Sequence, residues 1–539
     1  MTAKKKTETW LSVVVLAVGL LLAAIMGLLG YMIATAPLHP NPQDVPSVAR
    51  SATLAPWADA VTKARQAVHA SLIEQNLPGL SVAVGAGNDI VWAEGFGWAD
   101  LEKRVPVSPE MRFRIGTAST ALTSAAVGLL LERDQLKLDE EIQTYVPAFP
   151  EKQWPVTLRQ VMGHLAGVTS DGGDEGPLLS ARCERTVDGL QHFADRPLLF
   201  EPGTEYRYPS YGWILVSAAV ESVTDEPLAA FMRKEIFEPL GMRDTRADSA
   251  TEPIPNRATS YFPRFAADPG YGLHVMRAID YSCYAGSSVF LSTPSDLVRF
   301  GLAINSGKLL QPATVQLLQT SQRLASGQET GYGLGWDLET ADVAGEQTRV
   351  VGHDGESLGG MVASFLTFPA HGLVVAVTSN ISYADTLAVA VRIAQAFAEK
   401  GGGQLHENNH GTLTLPPLSS NVTLPEHEAL PAARPRPQRR PGDVCGVSLG
   451  AGVPRRRSRH HRCGAAPDSG SGRRDYQPAR PRVLRRRGTD RPDSERRSHN
   501  REAGPGSNRQ YVFPSAGTRA SSGGGRAADQ ALPASDTPG

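Results

Sequence analysis

An apolar run from Trp10 to Ala34, preceded by Lys4-Lys5-Lys6, constrains this chain more than any other feature. At about 1.5 Å per residue, 25 helical residues span roughly 37 Å, enough to cross a hydrocarbon layer of about 30 Å with some tilt. A buried helix of a globular protein rarely reaches this length. A cleaved signal peptide is the rival reading, with Ala34-Thr35-Ala36 as its small-residue site. The length of the run and the Pro37 that would come after the cut weigh against it. The lysines place the N-terminus in the cytoplasm. The expectation is a single-pass membrane anchor over 10–34, a cytoplasmic segment over 1–9, and a folded domain on the periplasmic, extracytoplasmic side.

Beyond the apolar run the chain divides into three materials. Residues 35–50 are proline-rich and read as a semi-extended linker that does not pack. Residues 51–400 alternate helical patterns, such as 119–133 and 212–223, with β-like runs at Leu80–Val84, Met361–Phe368 and Leu373–Ser379. The last two runs flank Pro369-Ala370-His371-Gly372, as the arms of a hairpin would. A further apolar helix is expected over 384–398. The mixture predicts an α+β fold in α/β/α layers. Residues 401–539 are dominated by Arg, Pro, Gly, Ala and Ser without apolar periodicity, the composition of a disordered tail.

Charge separates body from tail. Residues 434–539 hold 23 Arg, no Lys and 9 acidic residues, which leaves 31 basic against 46 acidic residues ahead of them. An acidic body excludes nucleic acid as the ligand of the folded domain, because phosphate binding needs clustered cations. Arginine without lysine is also the signature of a shifted reading frame in GC-rich DNA, and the tail is read as such a product and given no function. Of four cysteines, Cys183 and Cys283 lie in the body. Outside the cytoplasm a disulfide between them is permitted, and two buried thiols are the equal alternative. No Cys/His spacing suggests a metal site.

The chemistry concentrates in a series of ordered motifs. Phe113-Arg114-Ile115-Gly116-Thr117-Ala118-Ser119-Thr120 leads into a small-residue helix. Val156-Thr157-Leu158-Arg159 precedes His164-Leu165-Ala166-Gly167-Val168, and Glu201-Pro202-Gly203-Thr204 precedes Tyr208-Pro209-Ser210-Tyr211-Gly212. Tyr332-Gly333-Leu334-Gly335-Trp336 and Gly352-His353-Asp354-Gly355 come next, with Gly359-Gly360 after them. In this order the motifs resemble those of the serine β-lactamase and penicillin-binding-protein family, class C-like branch, over residues 51–400. That branch includes the mitochondrial serine β-lactamase-like proteins. The resemblance implies an antiparallel sheet flanked by helices plus a helical region. It also implies acyl transfer through a covalent intermediate on β-lactams, D-Ala-D-Ala peptides, esters or amides, with neither metal nor organic cofactor. By the same resemblance Tyr208 is the proton shuttle, His353 the third-motif base, and Ser210, Asp354, Gly355 and Glu356 line the substrate. The Thr117 and Glu356 N–H groups would donate to the oxyanion.

The departure lies at the centre. Thr117 stands where the family has its Ser nucleophile and Thr120 where it has the Lys base, and no Ser in the chain has Lys three positions later. A hydroxyl is a weak nucleophile without a neighbouring base, and the extra methyl of Thr fixes χ1 and crowds the oxygen. His164 reads as structural. Two functions remain: a degenerate member whose cleft binds a small-molecule, ester or peptide ligand without turnover, or a hydrolase that uses Thr117 with Tyr208 and His353.

Overall fold

The computed structural model describes residues 2–50, 55–170, 181–208, 211–265, 267–277, 279–357 and 360–407. The C-terminal tail beyond 407, with Cys445 and Cys463, lies outside these residues, as do Ser210 and Gly359. Helix α1 runs Thr2–Ala34 and contains one apolar stretch, Trp10–Ile33, long enough to cross a membrane.

The body is built on one eight-stranded antiparallel sheet. Its strands are β1 (Ser47–Ala49), β2 (Gly79–Ala86), β3 (Asp89–Asp100), β4 (Val105–Pro106), β5 (Asp337–Val343), β6 (Glu346–Ser357), β7 (Met361–Phe368) and β8 (Leu373–Ser379). The order across the sheet is β1-β3-β2-β8-β7-β6-β5, with β4 paired to β3. Helices α2 (Ala58–Glu74), α3 (Ser119–Glu132), α4 (Gly212–Thr224), α5 (Pro294–Asn305) and α6 (Thr386–Glu407) cover it.

Both faces of the central strands β2, β7 and β8 are buried, which is why these strands read as nearly continuous hydrophobic runs. On one face Leu80, Val82, Val84, Val375, Val377 and Phe368 pack against α2 and α6, through Val68, Leu72, Ile393 and Phe397. The alternate residues Ala83, Val374, Ala376, Ala363 and Phe365 point to the other face, against α5, α3 and α4. The period of two along each strand thus sorts one sequence into two cores. Helix α3 is buried nearly all round, from Ser119 to Gly128, so small residues dominate it where neighbouring elements approach closely.

Residues 35–50, expected as an unpacked linker, are in large part docked. Leu38 N donates to Asn76 Oδ1 at 2.8 Å, and the buried His39 ring hydrogen-bonds the Leu77 carbonyl at 2.9 Å. Pro46 O accepts from Gly97 N at 2.9 Å, and β1 pairs with Glu94–Phe96 of β3. Proline lacks only the donor N–H, so a proline-rich segment can still lie along a sheet edge. Composition alone does not register that.

Cys183 and Cys283 are joined as a disulfide across 100 residues of sequence. Of the two alternatives the sequence left open, the structure adopts the bridge. Arg114, on the short strand that enters the Thr117 turn, pairs with Asp248 at 2.6 Å, both side chains at most 5% exposed. Arg257 pairs with the same carboxylate at 2.9 Å. A capping box opens the short helix Leu158–Met162: Gln160 Oε1 accepts from Thr157 N at 2.9 Å while Thr157 Oγ1 accepts from Gln160 N. This helix delivers His164 to the site. Thr157→Ala is expected to lower stability by about 1 kcal/mol, read by thermal unfolding.

Candidate active site

The site forms where β6 passes the turn at residues 115–118. A Cβ built on Gly355 would sit 1.9 Å from Ile115 O and 2.5 Å from Ala118 N, so only glycine lets the strand lie against that turn. Both obstacles are backbone and cannot swing aside. Gly355→Ala is therefore expected to force β6 away and lower stability by about 1–3 kcal/mol, measurable by thermal unfolding.

The close approach brings the first and third motifs together, and Thr117 Oγ1 donates to the backbone carbonyl of Asp354 at 3.1 Å. Thr120 Oγ1 turns back on its own helix and donates to Thr117 O at 2.7 Å. A lysine at this position would extend outward with an amine. Thr120, in the first turn of its helix, instead satisfies a carbonyl three residues earlier.

Aromatic rings occupy the surroundings. Tyr208 packs edge-on against His164 at 4.7 Å between centroids, and Tyr332 lies 5.0 Å from the same imidazole. Tyr206 and His353 complete the cluster, within 6.1 Å of Tyr332 and 6.2 Å of Tyr208 respectively. His353 is buried. Its Nδ1 faces two acceptors, the Asp354 carbonyl at 2.5 Å and Asp337 Oδ2 at 3.5 Å, and so carries the proton. Nε2 hydrogen-bonds the Tyr332 hydroxyl at 3.1 Å. Asp337 Oδ2 also accepts from Asp354 N at 3.2 Å.

Burial dominates the electrostatics of this cluster. Burial, aided by the negative Asp337, pushes the Tyr208 phenol above its usual range, against a hydrogen bond with Thr117 that pulls it down. Tyr332 and Tyr206 are raised for the same leading reason. Burial pushes His164 down to about 3, with His353 adding to the shift. Asp354 is pushed up to about 7, mainly by burial and further by the carboxylates of Asp337, Glu339 and Asp385, against a hydrogen bond from Ser364. These shifts keep the Tyr208 phenol protonated and the His164 imidazole unprotonated at neutral pH.

Thr117, Thr120, Tyr208, His353, Asp354 and Gly355 thus converge from separated segments of the chain. Glu356 stands at the edge, exposed, its Oε1 accepting from Tyr383 N at 3.2 Å. Ser210 lies outside the described residues. Three residues of the cluster escape assignment from the motifs: Tyr332, a landmark with no assigned role, Tyr206, and Asp337. The sheet register sets Asp337 opposite Gly352, beside His353, a pairing with no local signal in the sequence.

An antiparallel sheet packed against a small-residue helix, with a hydroxyl at the start of that helix and an H-x-G strand against it, is a β-lactamase-like architecture. The family described as "Beta-lactamase" matches residues 58–399, and the chain belongs to that family. It is 26% identical over 452 residues to "Serine beta-lactamase-like protein LACTB, mitochondrial" of Bos taurus, covering 63% of this chain and 80% of that protein. "Penicillin-binding protein 4*" of Bacillus subtilis is 26% identical over 289 residues, 51% of this chain and 62% of the relative. Among solved structures, FmtA from Staphylococcus aureus superposes with a TM-score of 0.53 at 19% identity, covering 68% of this chain and 94% of FmtA. The octameric penicillin-binding protein homologue from Pyrococcus abyssi gives 0.51 at 21% identity, with 65% and 77% covered. At these identities the two structures speak to the fold alone.

Proposed function

We propose that this chain is a membrane-anchored member of the family whose site binds a ligand without acyl transfer. One observation carries the reading: Thr117, at the nucleophile position, spends its proton on the Asp354 carbonyl and has Thr120 where a lysine base would stand. Tyr208 cannot substitute for that base while burial and Asp337 hold it protonated. Removing one member of a cooperative catalytic unit forfeits most of its rate enhancement, and here two are replaced. Asp337 and Glu356 add negative charge near the cleft, so a neutral or cationic small molecule, ester or peptide suits it better than a substrate carboxylate.

The apolar segment Trp10–Ile33 supports anchoring, and Lys4-Lys5-Lys6 supports a cytoplasmic N-terminus. The Cys183–Cys283 bridge supports a body on the oxidising, extracytoplasmic side.

The test is turnover by the full chain of a chromogenic cephalosporin, an activated ester and a D-Ala-D-Ala peptide, beside Thr117→Ala. Equal rates at the level of the protein-free control are expected. Turnover abolished in Thr117→Ala would instead establish the second reading, a hydrolase in which Thr117 attacks with Tyr208 as its partner.

A further inference from the structure

The tether between anchor and body is short. Thr35 N still hydrogen-bonds Tyr31 O at 2.9 Å, and Leu38 is already held by Asn76. Four Cα steps separate Ala34 from Leu38, a reach of roughly 14 Å at most. If α1 spans a bilayer, the docking point of Leu38 and His39 lies within or just above a headgroup layer about 5–8 Å deep.

From that point an unbroken set of contacts leads to an exposed apolar patch. Gln75, next to Asn76, accepts through Oε1 from Asp385 N at 2.7 Å. Two residues earlier Tyr383 packs edge-on against Phe262 at 5.6 Å. Phe262 belongs to a hairpin, Tyr261–Pro263 with Leu273–Val275, whose Tyr261 N bonds Asn380 O at 2.9 Å, just past the end of β8. On it Phe265 is 62% and Val275 58% exposed, with Tyr383 39% exposed beside them. Arg264 and Arg277 flank the apolar side chains and are exposed, and Arg264 Nε bonds its own hairpin's backbone, at Leu273 O. Aromatic and aliphatic tips between arginines form the composition of an interfacial element, whose apolar atoms enter the acyl boundary while the guanidinium groups meet phosphate.

We propose that this hairpin, with Tyr383, is a bilayer-docking surface: Phe265, Val275 and Tyr383 insert at the headgroup–acyl boundary while Arg264 and Arg277 contact lipid phosphates. The inference rests on the anchoring proposed above. It holds the body in one orientation, with two attachments instead of one. It also sets the rim of the candidate site beside the membrane, because Tyr383 N is the donor to Glu356.

The experiment uses the full chain reconstituted in vesicles of phosphatidylcholine with an anionic phospholipid. A photoreactive phenylalanine analogue replaces Phe265, Val275, Leu20 or Leu317 one at a time. Leu20 reports the anchor, and Leu317, 38% exposed on the helix Pro312–Leu318, is the exposed control. Lipid adducts at Leu20, and at Phe265 and Val275 on the order of tenfold above Leu317, are the expected result. Adducts at Leu20 with Phe265 and Val275 no higher than Leu317 would overturn the docking surface and leave the anchor standing. Protein adducts at Phe265 would overturn it in favour of a protein partner. Failure of Leu20 to label, with the chain not floating with vesicles, would remove the anchor itself and the inference with it.

Discussion

Replacing Cys183 and Cys283 together with serine is expected to lower the stability of the folded body by about 4–5 kcal/mol, through the chain entropy regained by the unfolded state. The bridge closes a loop of 100 residues, near the upper end of what a single cross-link yields. Near the midpoint the unfolding entropy is about 2.1 cal/mol/K per residue, so over roughly 350 folded residues the midpoint falls by about 6 °C. Cys283 sits in the turn Ser282–Ser287, whose Gly286 is packed against Thr123 of α3 and Ser217 of α4. The bridge thus ties the segment before α4 to the core beneath the candidate site. Thermal unfolding of the double variant beside wild type, with and without reductant, checks the value. An unchanged midpoint in all samples would show that the bridge contributes nothing.

Asp354→Asn is expected to remove a fall in stability with rising pH that in wild type offsets the rise contributed by His164. The unfolded carboxyl loses its proton near pH 4, whereas the folded one holds it to about 7. Between those values the unfolded state binds fewer protons, so stability falls as pH rises through the window, by roughly 4 kcal/mol in total. His164 acts in the opposite sense. Its unfolded imidazole binds a proton below about 6.5 but the folded one only below about 3, so stability is lost as pH falls through that range. In wild type the two slopes offset each other between about pH 4 and 6.5, leaving a net decline only near 7. In Asp354→Asn the His164 slope stands alone: stability rises to about pH 6.5 and then stays level, and at pH 8 the variant exceeds wild type. Denaturant unfolding from pH 4.5 to 8 reads this directly. Parallel curves for the two proteins would show that Asp354 is ionised throughout.

Much of the fold is legible in the sequence because its elements obey simple periods. Met361–Phe368 and Leu373–Ser379 are paired strands with the turn between them where Pro369–Gly372 stands. Helix α3 is recognisable from the small apolar run after Thr120. The helix expected over 384–398 begins at Thr386 and continues to Glu407. The motif positions are legible by order and spacing, and the structure brings Thr117, Tyr208 and His353 to one place. Asp337 is not, because its nearness to His353 depends on the β5–β6 register, a tertiary fact. The docking of Leu38–Ala49 escapes a reading by composition, since proline content says nothing of the bonds that hold it: Leu38 N, the His39 ring and the Pro46 carbonyl.

The loss of a base for Thr117 is the central claim, and covalent labelling examines it with least intervening assumption. The full chain and Thr117→Ala are incubated with a fluorophosphonate, a penicillin and an activated ester, and intact masses are recorded. No added mass is predicted on either protein while both remain folded. A stoichiometric adduct on wild type that disappears in Thr117→Ala would contradict the claim.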